Sequence, residues 1–122
     1  MIPELTEENV NKLATTFLDT NILLRHPITL TTFIGYAFPT DEDHPEPWGK
    51  RAGQLRGRIK TWMQEREGQT SEVMSKRGRV TFTWKDPLKI AALKAKSKMQ
   101  PASKDPRATK RFVLDIVAAR LK

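Results

Sequence analysis

Residues 50–85, KRAGQLRGRIKTWMQEREGQTSEVMSKRGRVTFTWK, read as a basic helix running into a basic two-stranded hairpin. With a turn of about 100° per residue, Ala52, Leu55, Ile59, Trp62 and Met63 fall on one arc, which predicts a single buried stripe on a helix starting near Trp48 or Gly49 and reaching Arg66. Lys50, Gln54, Lys60, Thr61 and Gln64 lie on the opposite side together with Gly53 and Gly57, and Arg51, Arg56 and Arg58 flank it. Each glycine on an exposed helical face costs about 1 kcal/mol relative to alanine, so the pair calls for a reason. Two are open: close approach of the helix backbone to a partner, or packing against another helix of the same domain.

Gly68 marks the end of this helix. Beyond it, residues 79–85 alternate, with Val80, Phe82 and Trp84 on one face and Arg79, Thr81, Thr83 and Lys85 on the other, as a half-buried strand does. The preceding segment, 71–75, pairs with it through a tip at Lys76-Arg77-Gly78, where Gly78 supplies a positive φ. Lys76, Arg77 and Arg79 thus crowd the tip.

Upstream, Thr6 before Glu7 and Glu8 is a helix N-cap with two carboxylates in the first turn, and Leu5 is set to staple onto Val10. Val10, Leu13, Ala14, Phe17 and Leu18 predict a core face, and the pattern breaks over 21–27, where Pro27 disfavours helix at His26. Ile28 suggests a short extended segment. Leu30, Phe33, Ile34, Ala37 and Phe38 then form a second apolar stripe, read as a helix of about ten residues, with a strand left open by the threonines. Residues 39–48, PTDEDHPEPW, read as an acidic, proline-rich loop.

Downstream, Asp86-Pro87 and Asp105-Pro106 each pair an N-cap with a proline at the first helical position. The first of these helices, 87–99, is expected to bury Leu88, Ala91, Ala92, Ala95 and Met99, with lysines elsewhere; residues 100–104 form a hinge. The last helix has Phe112, Val113, Ile116, Val117 and Leu121 in one stripe, which either completes the core or forms a dimer contact. A chain of 122 residues with this pattern is expected to be mainly α with a small β-hairpin, an α+β fold.

Charge is divided unevenly. Up to Gly49 the chain carries two basic and eight acidic residues, a net charge of −6; from Lys50 on it carries 20 basic and six acidic, a net charge of +14. The basic part suggests a polyanion partner. The chain has no cysteine, so disulfides, thiolate metal sites and cysteine nucleophiles are excluded. No apolar run is long enough to span a bilayer and the N-terminus is acidic, so a soluble, unprocessed cytoplasmic protein without a membrane partner is expected.

The order of elements resembles the winged helix-turn-helix family. Residues 27–30 with 32–34 look like its short strand and first helix, 50–66 like its recognition helix and 71–85 like its wing. The resemblance covers about half the chain and departs from the family at the acidic loop, where a turn of three or four residues is usual. It implies a winged helix-like domain over 1–100 with an inserted loop at 39–48, extra C-terminal helices, and a segment 101–122 packing on the core or on a second copy. It also implies a non-enzymatic double-stranded DNA-binding regulator of transcription or replication, associated with the nucleoid. Gln54, Arg58 and Thr61 are then candidate base readers, and Lys50, Arg51, Lys60, Lys76, Arg77 and Arg79 candidate phosphate contacts.

Catalysis has little to draw on. His26 and His44 both lie beside proline without a visible partner, and no nucleophile elbow, P-loop, dinucleotide fingerprint or zinc-helix motif is present. Asp41, Glu42, Asp43, His44 and Glu46 match no calcium-loop spacing, so neither a metal nor a cofactor is expected. The alternative reading is a small interaction protein that inhibits or recruits a protein partner through the acidic loop and the glycine face. RNA binding has less support, because Trp62 and Trp84 both fall on apolar stripes rather than among the basic residues.

Overall fold

The computed structural model describes residues 2–39, 45–96 and 106–121. Its elements follow in the order α1 (Glu7–Leu23), α2 (Leu30–Ala37), α3 (Pro45–Gln64), β1 (Thr70–Met74), β2 (Val80–Trp84), α4 (Pro87–Lys96) and α5 (Pro106–Leu121), with a 3-10 turn at Glu67–Gln69 ahead of β1. The chain is mainly helical, with one antiparallel hairpin.

Helix α1 starts where its cap dictates, with the Thr6 hydroxyl accepting the Asn9 N–H at 3.1 Å. Val10, Leu13, Ala14, Phe17 and Leu18 are buried, as their spacing predicts. The helix runs past the expected break to Leu23, and buries Asn21 on the way. Asn21 is tolerated inside because its amide is fully used: Oδ1 accepts the Ile28 N–H at 2.9 Å, and Nδ2 donates to the carbonyls of Ile28 and Phe82 at 3.1 and 2.8 Å. The short extended segment at Ile28 is thereby tied to β2 through side chains instead of a backbone ladder. Helix α2 settles the ambiguity over 28–38 in favour of helix, capped by Thr29, whose hydroxyl accepts the Thr32 N–H at 3.2 Å.

Helix α3 starts earlier than expected. Residues 45–48, read from sequence as loop, form its first turn. Pro45 and Pro47 occupy the first and third helical positions, where backbone N–H groups lack intrahelical acceptors in any case, so proline removes no hydrogen bond there. The rest of the acidic loop, 40–44, lies outside the described residues, as do the hinge at 100–104, Met99 and the Asp105 cap.

In the hairpin the register pairs Thr70 with Trp84, Glu72 with Phe82 and Met74 with Val80. Its tip closes with the Gly78 N–H donating to the Ser75 carbonyl at 2.9 Å and the Ser75 N–H donating to the Arg79 carbonyl at 2.8 Å. Gly78 has φ 78°, the left-handed value expected of it. The simple alternation of buried and exposed residues does not hold: Val80 is exposed and Thr81 is buried. The Thr81 hydroxyl donates to the Ile28 carbonyl at 2.6 Å and lies 3.3 Å from Asn21 Nδ2, so a polar residue is satisfied inside while Val80, on the opposite face of the strand, is left exposed.

Helix α4 corrects a second expectation. Its cap forms as read, with Asp86 Oδ1 accepting the Leu88 N–H at 3.0 Å, but its orientation is the opposite one. Leu88, Ala91, Ala92 and Ala95 face outward, and Ile90 and Leu93 pack on the core. Two large aliphatic side chains three residues apart cover more core than a stripe composed mostly of alanine. Turning the helix this way also brings Lys89 Nζ over the Trp84 ring, 3.6 Å from its centroid.

One core joins these elements. Phe17 and Phe33 meet at 5.3 Å between ring centroids, Leu55 and Ile59 arrive from α3, and Val113 and Val117 from α5. Helix α5 packs on α1 and α2. The indoles of Trp62 and Trp84 find side-chain acceptors on α1, Trp62 Nε1 donating to Asn11 at 3.1 Å and Trp84 Nε1 to Asp19 at 2.6 Å. The second carboxylate oxygen of Asp19 is paired with Arg120 of α5.

Candidate functional site

Helix α3 divides the molecule between core and surface as its periodicity demands. Leu55, Ile59, Trp62 and Met63 are buried and Ala52 is half-buried, whereas Lys50, Gln54, Thr61 and Gln64 are exposed. Gly53 and Gly57 stand on the open side, and a Cβ at either position would meet nothing within 4 Å. That removes packing against another helix as their explanation. They leave a stretch of bare helix backbone lining a groove whose other wall is Pro3, Glu4 and Leu5.

The two flanks have different surroundings. On one, Arg51 donates to the Ile2 carbonyl at 3.4 Å and Arg58 to the Leu5 carbonyl at 3.2 Å. Both guanidinium groups hold the segment ahead of α1 against α3, and a shallow groove of about 780 Å3 lies between, lined also by Gln54 and Thr61. Thr61 donates to the Gly57 carbonyl at 3.1 Å, one turn back. Of the three candidate base readers, Gln54 alone makes no hydrogen bond within the described residues.

The other flank faces α2 and the hairpin. There Arg56, Lys60 and Arg79 line one groove of about 450 Å3 together with Thr29, Thr31 and Val80. Arg56 donates to the Thr31 hydroxyl at 3.2 Å, which fixes the guanidinium at the start of α2. Among the described residues no acidic side chain lines this groove, and the N-terminus of α2, whose dipole carries partial positive charge, lines it together with the three cations. The cluster is legible in the sequence only in part: Lys60 and Arg79 are candidates there, whereas Arg56 is only a flanking residue without a role. Its position on the helical wheel is as visible as that of Arg58. What sequence lacks is the knowledge that α2 and the hairpin return on this side of α3.

At the hairpin tip Lys76, Arg77 and Arg79 are all exposed, as is Lys50 at the other end of the basic stretch. Among the described residues the ion pairs involve Lys12, Arg66, Arg111 and Arg120, and none of these tip or α3-face cations. Cations held near one another without carboxylate partners raise the local potential and concentrate a polyanion.

His26 is exposed in the connection after α1, and among the described residues no group of three or more His, Asp or Glu comes together. His44 and Asp41 to Asp43 lie outside those residues. No helix among the described residues is long and apolar enough to cross a membrane. No protein-family model, curated protein or solved structure matches the chain.

Proposed function

We propose that this chain is a non-enzymatic, double-stranded DNA-binding protein of winged-helix type, a regulator of transcription or replication working at the nucleoid. The observation that carries the reading is the acid-free groove joining Arg56, Lys60 and Arg79 between α2, α3 and β2. Arg56 and Lys60 bring this groove to the side of α3, and in this reading one duplex along α3 spans the groove and the tip cations Lys76 and Arg77. Arginine suits this work because its planar guanidinium offers paired donors to phosphate or to guanine. The succession of α1, the Ile28 segment, α2, α3 and the hairpin, with Ile28 bound to β2 through Asn21 and Thr81, supports the winged-helix assignment.

In this reading α3 lies in the major groove with Gln54 and Thr61 toward base edges, and the bare backbone at Gly53 and Gly57 allows close approach. Arg56, Lys60 and the hairpin cations hold phosphates. Arg51 and Arg58, each with one donor given to the N-terminal segment, have others left for the duplex.

A salt titration on random duplex DNA tests the proposal. Neutralising about six phosphates makes log K fall with log[salt] with a slope near −5. Arg77→Ala is expected to weaken binding to all sequences alike and to make the slope shallower, and Gln54→Ala to matter only on a selected site. A flat salt dependence overturns the reading. One observation favours a second reading, an interaction protein: Leu88 is 81% exposed on the outward apolar side of α4. That reading predicts a stoichiometric complex lost on Leu88→Gln, with sequence-indifferent DNA binding.

A further inference from the structure

Along one face of the hairpin, burial falls steadily from base to tip. Trp84 is 3% exposed, Phe82 is half-buried and Val80 is 54% exposed, although all three point to the same side of the strand. Thr81, next to Val80 on the opposite face, is buried and donates to the Ile28 carbonyl, so near its tip the hairpin meets the body of the domain through that other face and leaves Val80 exposed. Directly across from Val80 in the register stands Met74, 59% exposed. Two large apolar side chains are thus held side by side at the last cross-strand pair before the tip, with Lys76, Arg77 and Arg79 just beyond them. Val80 also lines the groove that contains Arg56, Lys60 and Arg79, so one member of the apolar pair stands beside those cations.

Resting on the DNA reading above, we propose that Met74 and Val80 form a wedge that enters the minor groove, partly unstacks one base step and bends the duplex. Apolar side chains presented amid cations are suited to such insertion, because the cations hold the phosphates on either side while the hydrocarbon replaces lost base stacking. The bend in turn brings more of the duplex backbone onto the basic groove. Unstacking is easiest at pyrimidine–purine steps such as TA, so the wedge favours such a step at a position where no base edge is read. A lipid surface is the less suitable partner, because two side chains offer little apolar area to a membrane.

The test uses the full chain and a duplex of about 30 bp labelled at both ends for energy transfer, with either a TA step or a G·C-rich centre. The double variant Met74→Gln, Val80→Thr keeps side-chain length and β-branching at exposed positions, and its thermal midpoint is measured alongside to verify the fold. Wild type is expected to shorten the end-to-end distance and to prefer the TA duplex by about tenfold. The double variant should bind within about tenfold of wild type, leave the distance at that of free DNA and lose the TA preference. Equal bending by variant and wild type overturns the wedge, as does straight binding by wild type, and both leave DNA binding intact. Failure of wild type to bind either duplex overturns the wedge and the DNA reading together. Wild-type binding to phosphatidylserine vesicles that the variant loses, with DNA bending unchanged, makes the pair a lipid contact and overturns the proposal.

Discussion

Asp19 in α1 and Trp84 in β2, 65 residues apart in sequence, meet in the interior, where the carboxylate accepts the indole N–H at 2.6 Å. The other oxygen of the same carboxylate is paired with Arg120, so one buried side chain fastens both the hairpin and α5 to the first helix. Removing it leaves a buried donor and a half-buried guanidinium without their acceptor. Asp19→Ala is expected to destabilise the fold by about 2–4 kcal/mol, and Asp19→Asn by less because the amide oxygen still accepts one bond. Urea unfolding midpoints at constant m-value measure both.

Thr81 depends on the same kind of accounting for polar groups. It is 1% exposed, and its hydroxyl donates to the Ile28 carbonyl. Thr81→Val preserves shape and strand propensity but removes that donor and weakens the contact with Asn21, at an expected cost of about 1–2 kcal/mol. The amide proton of Ile28 should exchange faster in the variant as well, since Asn21 holds it only while the connection stays against β2.

Gly53 and Gly57 separate stability from binding. With nothing near either Cβ position, Gly53→Ala and Gly57→Ala are each expected to raise stability by about 0.5–1 kcal/mol. If a duplex approaches the bare backbone, the same changes weaken DNA binding. A more stable protein with unaltered affinity would assign the glycines no part in the contact.

Gly78 behaves oppositely. Its φ of 78° is one that a β-branched residue adopts only with strain, so Gly78→Val is expected to cost about 1–2 kcal/mol and Gly78→Asn distinctly less. Cross-strand nuclear Overhauser contacts between residues 74 and 80 report whether the register survives.

Arg56 and Arg58 look alike in sequence and face different neighbours. Arg56→Ala removes a cation from the acid-free groove and should make the salt dependence of DNA binding shallower by about 0.9. Arg58→Ala also frees the Leu5 carbonyl and loosens the segment ahead of α1. Proteolysis near residue 5 distinguishes it from Arg56→Ala.

The helices are legible in the sequence because their signals are local. Thr6 and Asp86 cap as their neighbours dictate, and the stripes of α1, α2, α3 and α5 follow from spacing alone. What does not show is which of two plausible faces a weakly amphipathic element turns inward. In α4 both the Leu88 side and the Ile90 side are apolar, and the shape of the core decides. In β2 the alternation of residues is visible, but not that near the tip the strand turns the Thr81 face to the body of the domain, which gives Thr81 its interior partners and leaves Val80 exposed. The site is legible in its cations and not in their grouping: that Arg56 joins Lys60 and Arg79 while Arg58 turns to the N-terminal segment depends on where α2 and the hairpin come back against α3.

The shared carboxylate of Asp19 makes the base of the hairpin a joint between α1, β2 and α5. Trp84 is clamped there by Asp19 and covered by Lys89, and nearer the tip Thr81 takes a second hold on the Ile28 carbonyl. Arg120 bears on the same joint through the other carboxylate oxygen. A substitution in the last turn of α5 therefore acts on the root of β2 with no residue of the hairpin altered.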